Sequence, residues 1–400
     1  MPHRFDPASS PQHRELMDAA SRIGMALSSR SAEIEAHRWL PQDIADSLAE
    51  AGLYRMLTPK VHGGHEVPPG SFYRVVEQLA RGDAAAAWCC FISCTSSVLA
   101  AYLPQDEAAA LFGTRPQLKA AGVFAPRGRA VSAVQDGVAG LRVSGRWAWG
   151  SGVRNADIVS AGCLLMGDDG KPALLDGGAP RVVSVLLDRH QVRSLDNWDA
   201  FGLCGTGSGE FEVKDAFVPL GRSASLFDGP QVDTPLYRFP VFGLLAMAIT
   251  AVATGIAREA LDTFMAEAAR TVPQASSKPI AAKATVQEAV ARAEASLQSA
   301  RCYMLASIDA AWLMAQQPGP LAVAPRRDLR LAATHAVQTS AEVVQRVYTL
   351  AGGGAVFAAS PLQRALRNVQ VATQHMMVND ATYELTGRLL LGVPTQVNML

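Results

Sequence analysis

Apolar positions recur at helical spacing through residues 11–115, switch to two-residue alternation from about Lys119, and return to helical spacing from about Tyr237 to Leu391. In the first part, Pro41-Gln42-Asp43 leads into Ile44-Ala45-Asp46-Ser47-Leu48, and the helix stops at Gly52. Ser71–Ala80 reads as a short amphipathic helix, and Asp83 is placed to cap an apolar helix over Ala84–Leu103. The middle part holds short β-type runs (Ala120–Phe124, Gly140–Gly150, Ile158–Leu165, Arg181–Leu187, Phe211–Val218) separated by Gly, Pro and Asp. The last part predicts four long helices, Phe242–Ala268, Ala282–Met314, Asp328–Leu350 and Ser360–Leu391. The pattern predicts a mostly α, α+β chain in three domains: N-terminal helical (1–117), β-barrel (118–232) and four-helix bundle (233–400).

Composition narrows the picture. With 36 Lys+Arg against 36 Asp+Glu in 400 residues, no bulk field favours nucleic acid or an anionic membrane. Phe239–Ala257 is free of charge and long enough to suggest a membrane span. Its Pro, Gly and Thr content and the following Arg258-Glu259 instead predict a helix buried on all sides of a bundle. The N-terminal stretch MPHRFDPASSPQHREL has no apolar leader core, which predicts a cytoplasmic protein. Six Cys with no C-x-x-C pair predict buried free thiols and no metal site. His62 and His65 fall in a Pro- and Gly-rich loop without acidic or Cys partners, which predicts a solvated loop.

The most informative stretch is Asp196–Pro219, DNWDAFGLCGTGSGEFEVKDAFVP. Its glycine turn puts Glu210 where a dinucleotide fingerprint needs Gly, and a strand follows where that motif needs a helix. The stretch resembles the middle-domain signature of the acyl-CoA dehydrogenase superfamily, a W/G-x-R-G-T-x-S turn before a V-x-V-x-D-x-x-V-P strand. Cys204 stands where those proteins carry Arg. The α–β–α order extends the resemblance over nearly the whole chain. It also implies that the Pro59–Gly64 turn closes the substrate mouth.

Three constellations could carry chemistry. In an extended strand Trp147, Trp149 and Ser151 share one face, which suits either a flat conjugated ring or a Trp-rich barrel core. The resemblance implies that Ser151 replaces a Thr that bonds flavin N5, with Trp149 beside it and the loop at Phe124 also touching flavin. Arg270 and Gly352-Gly353-Gly354 suit phosphate through an Arg fork and freed amides, though each alone also describes an ordinary turn or surface residue. The resemblance implies that they hold the flavin diphosphate across a subunit contact in a homo-oligomer, a tetramer. On the last helix Arg364, Asn368, Val371 and His375 are spaced to share one face, although a hydrogen-bonded core histidine fits the same pattern.

That last segment, R-x-x-R-N-x-x-x-x-x-x-H-M-M, resembles the flavin-dependent two-component monooxygenases of the superfamily, with Asn368 in place of the usual Asp. The resemblance implies reduced flavin (FADH2 or FMNH2) from a separate NAD(P)H-dependent reductase, and O2 activated as a flavin C4a-hydroperoxide. It implies oxygenation of a small phenol- or indole-like substrate. His375 and Ser151 would be catalytic, and Trp88, Arg364 and Asn368 would bind substrate. The alternative is an acyl-CoA dehydrogenase-type FAD oxidoreductase. It needs a catalytic Glu, and the first bundle helix has no acid before Glu259. A flavin-free helical scaffold is a further alternative, separable by whether reduced flavin binds.

Overall fold

The computed structural model describes residues 10–274, 276–319 and 321–400. Residues 1–9, the larger part of the stretch read for a leader, lie outside the described residues. Helices come first: α1 (Pro11–Ser28), α2 (Ser31–His37), α3 (Gln42–Glu50), α4 (Pro69–Gly82), α5 (Ala84–Ser97) and the single turn α6 (Gln105–Ala108). The α3 helix gives way at Gly52, whose φ of 73° lies in the left-handed region open to glycine. Asp83 caps α5, its Oδ1 accepting from the Ala86 amide at 2.9 Å.

Among the described residues seven strands follow: β1 (Ala120–Gln135), β2 (Val138–Trp147), β3 (Ile158–Met166), β4 (Val182–Asp188), β5 (Arg193–Ser194), β6 (Phe211–Pro219) and β7 (Ser223–Ala224). They form one sheet in the order β5-β6-β2-β1-β3-β4-β7, antiparallel except for β1 and β3. The sheet encloses its own core, in which the buried Trp147 indole stacks on Phe211 with centroids 5.1 Å apart. Between Val123 and Gly128 the β1–β3 register slips, which places Phe124 in a bulge.

The chain then returns to helices: the turn α7 (Pro235–Arg238), α8 (Val241–Ala268), α9 (Ala284–Ala315), α10 (Val323–Ala351), α11 (Pro361–Thr373) and α12 (Ala381–Leu390). The last predicted helix is therefore two. After Thr373 the chain turns, and the Met377 amide donates to His375 Nδ1 at 3.2 Å. The side chain of His375 serves the backbone there, which closes the turn and lets α12 restart at Ala381.

One continuous core joins both helical parts, running from Leu16 on α1 through α4, α5 and α8 to Val378. From Val241 onward the charge-free run lies in α8 and is mostly buried against these neighbours, as is the apolar stretch Ala84–Ala101. Crossing is close where α4 meets α8: a Cβ on Gly255 would stand 2.5 Å from the Glu77 carbonyl oxygen. Alanine is the better helix former by about 1 kcal/mol, yet the clash costs about 1–3 kcal/mol. Gly255→Ala is therefore expected to lower the denaturant midpoint, and a more stable variant would contradict this packing.

Candidate functional site

The glycine turn between β5 and β6 is built around Leu203, a non-glycine residue with φ 49°. Its N–H donates to Asn368 Oδ1 on α11 at 2.7 Å. Its carbonyl takes three donors: the Thr206 amide at 3.1 Å, the Thr206 hydroxyl at 2.7 Å and the Trp198 indole N–H at 3.2 Å. Gly202 lets the loop lie against α11, since a Cβ there would meet the Arg367 carbonyl at 2.3 Å. Arg367 also donates to the Phe201 carbonyl at 2.9 Å, and Arg38 donates to that of Trp198 at 2.8 and 3.0 Å.

Behind this loop lies a line of polar groups. Thr206 Oγ1 is 2.5 Å from Ser208 Oγ, Ser208 is 2.6 Å from Ser151 Oγ, and Ser151 accepts from the Trp88 indole N–H at 3.1 Å. All four residues are buried. Trp88 packs edge-on to Phe91, and its ring lies 6.1 Å from that of His375. Thus α5, the β2–β3 turn, the glycine turn and the α11–α12 turn converge on one place.

Trp147, Trp149 and Ser151 do not share a face. The strand ends at Trp147, whose ring enters the sheet core and donates to the Gly162 carbonyl at 2.7 Å. Trp149 takes φ 64° and swings outward, 72% exposed, while Ser151 turns in to Trp88. Period-two alternation fails because the chain leaves the ladder after Trp147, four residues before Ser151.

The polar stripe predicted on the last helix is also divided. Arg364 Nε donates to Glu35 on α2 at 3.0 Å, and Arg367 pairs with the same carboxylate. Asn368 is engaged with Leu203, so Arg364 and Asn368 tie the helix to its neighbours. His375 lies past the helix end and not on its face. Burial, then the charge of Arg330, push its pKa down to about 4. The ring is neutral near pH 7, and because Nδ1 accepts from Met377 its proton sits on Nε2. Arg330 is itself buried, bonded to the carbonyls of Met377 (3.1 Å) and Met399, with no carboxylate pairing it among the described residues. Burial pushes it down to about 10.

Arg270 is exposed just beyond α8, its Nε donating to the Ala266 carbonyl at 3.2 Å. Gly352–Gly354 form an exposed turn with nothing within 4 Å of an added Cβ. Gly354 borders a cleft of about 400 Å³ with Phe264, Glu267, Thr271 and Phe357, and Arg270 is not among its lining residues. His62 is buried and not solvated, with both ring nitrogens unpartnered among the described residues. Five thiols are buried or half-buried, but Cys302 is exposed.

Sequence reasoning missed Thr206 and Ser208 as site residues by reading Gly205–Gly209 only as a turn. Two hydroxyls at alternate positions in a glycine-rich turn were the available signal.

Comparison with known proteins extends over nearly the whole length. The acyl-CoA dehydrogenase N-terminal domain family matches residues 10–117 and its C-terminal domain family residues 247–380. Indole-3-acetate monooxygenase of Pseudomonas putida is 33% identical over 388 residues, covering 96% of this chain and 94% of that protein. The flavin-dependent monooxygenase oxygenase subunit HsaA of Rhodococcus jostii is 28% identical over 94% of this chain and 97% of its own. The crystal structure of 3-HSA hydroxylase from Rhodococcus sp. RHA1 superposes with a TM-score of 0.86 at 25% identity, covering 99% of this chain and 100% of that one. The chain belongs to the acyl-CoA dehydrogenase superfamily, and within it to the flavin-dependent monooxygenases.

Proposed function

We propose that this chain is the oxygenase component of a two-component system that takes reduced FMN or FAD from a separate reductase and oxygenates a small indole- or phenol-like compound. The observation that carries the reading is the buried Trp88–Ser151 bond, with the Trp149 indole exposed two residues before Ser151 and the His375 ring 6.1 Å from that of Trp88. A hydroxyl with a lone pair left, two residues from an exposed indole, suits the edge of a reduced flavin ring, so these residues fit the cofactor. The P. putida relative is named for indole-3-acetate, and another relative, from Rhizobium sp., is named an FADH(2)-dependent resorcinol hydroxylase, oxygenase component. A bound reduced flavin supplies two electrons, so that one atom of O2 enters the substrate and the other leaves as water.

In this reading Ser151 holds the flavin N5 edge, with Trp149 and Phe124 bordering the ring. Trp88 lines the substrate side. His375, neutral with its proton on Nε2, orients a substrate heteroatom or oxygen by donating to it. It does not act as a base through Nδ1, whose lone pair is engaged by Met377. Arg364 and Asn368 position the helix that carries the turn. Arg270 and Gly352–Gly354 meet the flavin phosphate across a subunit contact in a cytoplasmic homotetramer. Exposed Met265, Val272, Val356 and Phe357 around that end of the bundle support an apolar subunit contact. A dehydrogenase reading lacks its base: Glu259 pairs with Arg81 at 3.6 Å.

Loss of one preorganised donor costs about 10²-fold or more in turnover. His375→Ala is expected to lower oxygenated product by about that factor while hydrogen peroxide release rises and reduced-flavin binding holds. Product formed at the parental rate would remove His375 from the site. Because the folded ring stays neutral down to about pH 4 and a free histidine titrates near 6.5, the unfolded chain binds the extra proton between these values. Stability should therefore fall as pH drops from 6.5 toward 4, less steeply in His375→Gln; equal slopes would contradict the buried neutral ring. A charged hydrogen bond is worth about 1.5–3 kcal/mol, so Arg270→Ala should weaken FMN binding about 10- to 100-fold. Riboflavin binding should be unchanged, and a monomeric protein with full FMN affinity would contradict the shared phosphate site.

A further inference from the structure

The polar line behind the glycine turn has only one consistent placement of its protons. A carbonyl can only accept, so the Thr206 hydroxyl 2.7 Å from the Leu203 oxygen must donate to it. With that proton engaged, Thr206 Oγ1 accepts from Ser208 across 2.5 Å. Ser208 then accepts from Ser151 across 2.6 Å. At the other end the Trp88 indole nitrogen is donor only and gives its proton to Ser151 at 3.1 Å. Ser151 therefore has its proton turned inward, one lone pair occupied by Trp88, and one lone pair left. Reversing the line would leave two oxygens facing each other at 2.7 Å without a proton, in residues no more than 5% exposed.

We infer that Thr206 and Ser208 determine which oxidation state of the flavin this site accepts, by holding Ser151 as an acceptor only. The inference rests on the proposed placement of Ser151 at the flavin N5 edge. Reduced flavin carries a proton on N5 and can donate to the remaining lone pair. Oxidised flavin has a lone pair there, and two acceptors facing each other in a dry site leave a hydrogen bond unmade. Such a site favours the form the reductase delivers and disfavours the form left after turnover, which helps that form leave. Thr206 and Ser208 are positioning residues, because they act only through Ser151.

The test is equilibrium titration of the full chain with oxidised FMN, and anaerobically with dithionite-reduced FMN. Ser208→Ala removes the acceptor of the Ser151 proton, which can then turn outward and donate to oxidised N5. Thr206→Val removes the end of the line, so the Ser208 proton can turn back to Ser151 and free its proton likewise. The parent should bind reduced FMN more tightly. The ratio of oxidised to reduced dissociation constants should fall about tenfold in both variants, as expected for one hydrogen bond. Thr206→Ser keeps the hydroxyl and should keep the parental ratio. If Ser208→Ala does not fold, the Thr206→Val and Thr206→Ser pair carries the same comparison. An unchanged ratio in Thr206→Val, or a parent that binds both forms equally, overturns the inference while leaving a flavin site in place. A parent that binds neither form overturns the placement of Ser151 itself, and this inference with it.

Discussion

The structure around the site depends on the backbone of one residue, Leu203. A non-glycine residue in the left-handed region costs about 1–2 kcal/mol, and here four hydrogen bonds offset it, each contributing about 0.5–1.5 kcal/mol. The bonds come from three directions. Asn368 holds the N–H from α11, Trp198 reaches the carbonyl from its own loop, and Thr206 reaches it twice from the glycine turn. Because the Thr206 hydroxyl is fixed by that carbonyl, so are Ser208, Ser151 and Trp88 behind it. A single backbone unit thus sets the orientation of side chains from the N-terminal helices, the sheet and the bundle.

Electrostatics on the far side of Trp88 follow from another buried group. Arg330 is held by backbone carbonyls of the α11–α12 turn and of the C-terminal segment, and among the described residues no carboxylate pairs with it. Its charge adds to burial in keeping His375 neutral. A neutral imidazole whose ring lies 6.1 Å from that of Trp88 is suited to donating a hydrogen bond and poorly suited to exchanging protons with water.

The fold was legible because helical and alternating spacing each persist for many residues, and the buried α8 could be told from a membrane span by its Pro, Gly and flanking charges. Local breaks were not legible. Nothing in Arg364–His375 marks the helix end at Thr373, since no Gly or Pro stands there and a side chain closes the turn. Likewise Trp149 leaves the strand through a positive φ that its residue type does not favour. Ser151 and His375 were visible as polar residues among apolar ones. The partners that fix their protons, Ser208 and Met377, became visible only when the chain was folded, because those bonds link turns or depend on backbone direction. Asn368 was visible as a departure, and its role became clear only from the Leu203 amide it accepts from.

The most direct test of the central claim is the fate of isotopically labelled dioxygen. Chemically reduced FMN or FAD, the purified chain and an indole- or phenol-type acceptor are mixed with 18O2, and the product is weighed by mass spectrometry. One labelled oxygen atom is expected in each product molecule and the other in water. Unlabelled product, or bleaching of the oxidised flavin by an acyl-CoA thioester with no oxygenated product, would contradict it.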